Sequence, residues 1–170
     1  MPTSRETVEH LLSCCDAVYL VLGESAPRLA NDACVVRVHE MSRSFGELAL
    51  AMRSYLGGGD AGPAPIIATV LGDAVARDDT GALVLYAMAM LVGPRLLVSL
   101  RDAREAFTSE PEVIALLAHA AQVGVREILA VGEIARARPL LDDPVWQAAA
   151  RHLAEVLEES GYADSFGLSG

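Results

Sequence analysis

The sequence predicts an all-α protein: a helical bundle of about six helices, four of them long, around a kinked apolar central helix. Three observations carry that expectation. Apolar residues recur at three-and-four spacing along most of the chain, the signature of amphipathic helices. No strand-like alternation of useful length occurs anywhere. Hydrophobic residues make up 52% of the 170 positions but aromatics only 5%, so packing rests on Leu, Val, Ile, Ala and Met. Close helix–helix contact suits that composition better than strands, which draw on β-branched and aromatic residues.

The elements follow in order. Thr3 and Glu6 have capping-box spacing, so a first helix starts at Thr3 or Ser4, with Val8, Leu11, Cys15, Val18 and Leu22 on one face. Gly23 to Ser25 is read as its end and as the cap of the next. Pro27 then sits in the first turn of a second helix that runs to Leu56, with a possible bend at Gly46. The run Gly57-Gly58-Gly59-Asp60-Ala61-Gly62-Pro63 is a loop. A shorter helix follows from Ala64 to Arg77, closed by Asp78-Asp79-Thr80-Gly81.

Ala82 to Val92 is apolar on every side, which marks a helix surrounded by neighbours. Gly93-Pro94 breaks or kinks it, and a charged helix resumes from Arg95 to Phe107. Ser109-Glu110-Pro111-Glu112 is a strong start signal for a long helix that ends at Pro139. Its stripe passes straight through Gly124, a position read as a close approach by a neighbour. Asp143-Pro144 opens the last helix, and Gly161 stops it. Residues 1–160 are read as one domain and 161–170 as a short C-terminal tail, where Tyr162, Phe166 and Leu168 either dock on the body or recruit a partner.

Charge excludes some functions. The net charge is −10 and all 13 basic residues are arginine, a bias that suggests a GC-rich, bacterial-like genome. An acidic chain with few aromatics repels phosphate backbones and offers little for bases to stack on, so nucleic acid is not an expected partner. Met1 to Glu6 is polar, which argues against a signal peptide. The longest uncharged apolar stretch, Gly81 to Pro94, is shorter than the roughly 20 residues a bilayer needs. A cytoplasmic protein without membrane partners is expected, its three cysteines reduced.

The thiols and imidazoles raise a metal hypothesis. If the first turn centres on Glu24 and Ser25, Cys15 faces Cys34 and His10 faces His39 across the hairpin. Stripe phase places both thiols in the core but turns the histidines away, and five residues separate the pairs by roughly 7.5 Å along the axis. That is too far for one tetrahedral zinc, so no metal and no cofactor is expected. Cys14, at the stripe edge, is read as the more exposed thiol. His119 and His152 fall outside their apolar stripes. Carboxylates such as Asp78, Asp79, Asp142 and Asp143 sit at helix ends, where capping accounts for them. No P-loop and no nucleophile elbow is present, and the sequence leans against an enzyme with no catalytic residue assigned.

The expected function is therefore non-enzymatic: a scaffold, regulatory or accessory protein that acts through protein–protein association, with itself as a homodimer or with another protein. The alternative is a binder of a small anionic or apolar ligand, or a helical enzyme of unfamiliar type, with its pocket at the Gly93–Arg95 break. There Arg95 would receive an anion at a fresh helix N-terminus, with Tyr86, Met88 and Met90 lining an apolar cavity.

Overall fold

The computed structural model describes residues 2–136 and 142–161, with only the backbone described for 133–136. Six α-helices occur among the described residues: α1 Ser4–Ser25, α2 Asp32–Leu56, α3 Pro65–Arg77, α4 Ala82–Ala106, α5 Pro111–Arg136 and α6 Pro144–Glu159. No strand occurs among the described residues. Four helices have 22 residues or more, as the apolar periodicity requires. The predicted end of α5 at Pro139 and the tail 162–170 lie outside the described residues.

Local chemistry fixes most helix ends. The Thr3 hydroxyl accepts from the Glu6 N–H at 3.2 Å while the Glu6 carboxylate accepts from the Thr3 N–H at 2.7 Å, closing the predicted capping box. Asp143 caps α6 through Val145 N–H. The Asp78 carboxylate gathers Thr80 N–H, the Thr80 hydroxyl and Leu83 N–H, which ties the turn to the start of α4. Each such cap stabilises its helix by about 1 kcal/mol.

The start of α2 differs from the sequence reading. Pro27 sits in a separate 3₁₀ turn, Ala26–Arg28, and α2 begins only after Asn31, whose side chain accepts from Cys34 N–H. Leu29 and Ala30 between them pack on the 78–81 turn. Ala30 N–H donates to Asp79 C=O, and Gly81 approaches Leu29 and Cys34 so closely that a Cβ would lie 2.8 Å from Leu29 Cδ1. Gly81 also has φ +88°, so both space and backbone demand glycine.

The connector resets the α1–α2 register. Ser42 Oγ donates to Tyr19 C=O, the Tyr19 ring lies on Gly46, and Arg53 pairs with Asp16. Gly46 is thus a contact point rather than a hinge: a Cβ there would stand 2.7 Å from Tyr19 Cδ2. Cys15 faces the far half of α2, and Cys34 sits roughly 20 Å away along the axis, beside Gly81. The expected Cys15–Cys34 pair does not form, because the turn is centred several residues later than Glu24–Ser25.

α4 packs against α3, α5, α6 and the first half of α2. Leu83, Val84, Leu85, Ala87, Met88 and Val92 are fully enclosed. The Gly93-Pro94 pair does not break α4. Proline lacks an N–H and its ring collides with the carbonyl four residues earlier. Here Ala87–Val92 forms a π turn, in which Gly93 N–H donates to Met88 C=O and the ladder slips by one residue to admit the ring. Gly93 is required as well, since a Cβ would come within 2.4 Å of the Met88 carbonyl oxygen and 2.5 Å of Ile128 Cδ1. The helix leaves the π turn with Val92 still in right-handed helical geometry, so no fresh N-terminus faces Arg95.

α5 lies antiparallel on α4, held where Gly124 meets Leu97 and Ile128 meets Gly93. Gly124 therefore does what the sequence proposed for it.

Candidate functional site

The four residues singled out for a ligand do not converge. Met88 is fully buried, whereas Met90, two positions on, points outward and is 52% exposed. Tyr86 lies edge-on against Trp146 with ring centroids 4.7 Å apart. The Trp146 indole N–H is buried with no acceptor among the described residues. Arg95 has structural partners: Nη1 donates to Leu91 C=O at 3.0 Å, and Nη2 stands 4.0 Å from Glu158. The carbonyl it takes up lies in the π turn, so the arginine completes the irregular ladder from outside.

The histidines and thiols are dispersed. His39 and His119 are exposed, while His10 and His152 are half-buried. Burial lowers the His10 pKa. All three cysteines are buried, including Cys14, which the stripe phase had placed at the edge. Burial, with Cys14 and Asp16 adding smaller contributions, pushes the Cys15 thiol well above its ordinary range and away from the reactive thiolate. Among the described residues no group of three His, Cys, Asp or Glu side chains is placed to hold a metal ion.

Two buried carboxylates were not anticipated. Glu127 on α5 is 3% exposed and receives Arg37 and Ser44 from α2 and Arg126 from its own helix. Asp16 on α1 is equally buried and pairs with Arg53 at 2.6 Å. Arg53 also lies 3.8 Å from Asp60, tethering the glycine loop. A signal existed for Glu127, which falls in the apolar stripe three residues after Gly124 and four before Val131. A charge in that phase needs a buried partner. Both carboxylates are engaged by arginine from a neighbouring helix, and they act as clasps between helices.

Among the described residues, two surfaces group several apolar side chains open to solvent. One is a groove of about 890 Å³ along the α1–α2 hairpin, floored where Gly23 and Gly46 let the helices approach. Tyr19, Leu20, Val36 and Leu50 line it, with Glu40, Arg43 and Glu47 at its rim. The other is the outer side of the α4–α5 pair, where Met90, Val98, Val125 and Leu129 are between 43% and 63% exposed. By length and composition alone, Ala82–Ala106 and Pro111–Gly132 could each cross a membrane, with 67% and 33% of their most apolar windows buried inside the bundle.

Comparison with protein-family models, curated proteins and solved structures finds no match. The geometry alone must carry the functional reading.

Proposed function

We propose that this is a non-enzymatic helical protein that works by association, as a homodimer formed through the outer face of the α4–α5 pair. One observation carries the reading. α5 lies at the surface of the bundle, yet the thirteen residues from Val113 to Val125 contain no Asp, Glu, Lys or Arg. A solvated helix face normally carries charge, and an uncharged one of this length marks an interaction surface. Leu129, exposed Val98 and Met90 extend the same apolar side.

Light scattering at micromolar concentration tests it. The expected mass is twice 17.9 kDa, falling to the monomer value in Val125→Asp/Leu129→Asp while the helical circular dichroism persists. A monomeric wild type overturns the proposal.

A second reading, a binder of small apolar ligands, is favoured by the α1–α2 groove, whose 890 Å³ falls in the range of ligand sites. Its test is a thermal-shift screen of apolar and amphiphilic compounds on wild type and Leu50→Lys. Stabilisation confined to the wild type supports it, and no stabilisation of either excludes it.

A further inference from the structure

We infer that the two copies meet through α5 packed antiparallel on its symmetry mate, with the two-fold axis at the level of Ala120. This rests on the homodimer reading above and specifies its geometry. Six uncharged residues form a stripe along the solvent side of α5, Pro111, Ala115, Ala118, Gln122, Val125 and Leu129, flanked on one side by exposed Glu112, His119 and Arg126. Within the stripe Ala118 is half-buried and the other five are exposed. Their spacings alternate four and three, the heptad pattern that keeps a seam facing a partner helix over a span of roughly 27 Å.

The stripe is symmetric under chain reversal, and its sizes are complementary only in that sense. Antiparallel pairing about residue 120 sets Leu129 against the partner's Pro111, Val125 against the partner's Ala115, and Gln122 against the partner's Ala118. Every large side chain then meets a small one. Parallel pairing would stack Leu129 on Leu129 and Ala115 on Ala115, leaving crowded layers beside empty ones.

Charge selects the same arrangement. Glu112 and Arg126 are the charged residues that bracket the uncharged run, and both lie on the α2 side of the stripe. Arg126 keeps a side chain 65% exposed beside its contact to Glu127. Antiparallel packing puts each Glu112 on the same side of the seam as the partner's Arg126 and within its reach, whereas parallel packing carries the two copies' charges to opposite sides of the seam, where they do not pair. A lipid surface would meet the same face without explaining either complementarity, and Gln122 at the centre of the stripe suits a protein partner better than hydrocarbon.

Cysteine cross-linking tests the register, because the three native thiols are buried and do not compete. Ala118→Cys and Gln122→Cys proteins are prepared separately and oxidised alone and as a mixture. The expected product is a disulfide heterodimer that forms in the mixture much faster than either homodimer forms alone, because a disulfide needs its Cα atoms within about 7 Å. Light scattering on the same samples separates the two proposals. A dimeric mass without preferential 118–122 cross-linking overturns the antiparallel register and leaves the homodimer standing. A monomeric mass overturns both. Binding of the monomer to phosphatidylcholine vesicles, abolished by Val125→Asp/Leu129→Asp, would assign the face to lipid and likewise overturn the register.

Discussion

Replacing Glu127 by alanine removes the carboxylate on which α2 and α5 converge. Arg37 loses a charged partner although its own side chain is only 17% exposed, and the Ser44 hydroxyl loses its acceptor. Breaking a buried ion pair from one side costs about 3–5 kcal/mol, because the remaining charge stays desolvated. Arg37 retains Glu40 at 3.0 Å, an exposed partner that reduces the loss, so the low end, about 3 kcal/mol, is expected. For a domain of this size that corresponds to a fall in Tm of roughly 6–12 °C. Urea unfolding followed by far-ultraviolet circular dichroism measures it directly. The paired replacement Glu127→Leu/Arg37→Met removes both charges and fills the space, and should recover to within about 1 kcal/mol of wild type. A cost below about 0.5 kcal/mol for Glu127→Ala, the range of ordinary surface substitutions, would refute the clasp.

Two other predictions concern the same core. Gly93→Ala should destabilise by about 1–3 kcal/mol despite alanine's better helix propensity, since its Cβ must displace the Met88 carbonyl or Ile128. A gain in stability from that substitution would show that the π turn relaxes freely. His10 is held toward its neutral form by burial, so its folded pKa lies below the unfolded 6.5. The unfolded chain therefore binds the proton first, and the stability tied to the neutral ring, full above pH 6.5, is lost as pH falls through 6.5 toward the folded pKa. Unfolding titrations of wild type and His10→Gln should diverge across that window, and parallel curves would contradict the prediction.

Helix identity was legible because it depends on neighbours three and four residues apart, and the caps at Thr3 and Asp143 and the glycine loop are equally local. Gly124 was legible for the same reason, as a glycine within an unbroken apolar stripe. The register of α1 on α2 was not. It depends on Leu29 and Ala30 packing against a turn some fifty residues later, which moved Cys34 away from Cys15. Nor did the Gly93-Pro94 pair reveal its effect. A proline in that place breaks a helix unless the ladder slips, and the slip is held by Ile128 on another helix and by the Arg95 guanidinium.

The sequence by itself determined that this chain is a helical bundle with one enclosed apolar helix, since periodicity and composition act within each segment. The tertiary structure alone decided how the buried charges are paired and which apolar residues are left outside. Glu127 and Leu129 are two positions apart on α5, yet the carboxylate is enclosed by arginines and the leucine faces solvent. Burial is a property of neighbouring elements, and the physical rule that a buried charge must be paired operates only once those neighbours are in place.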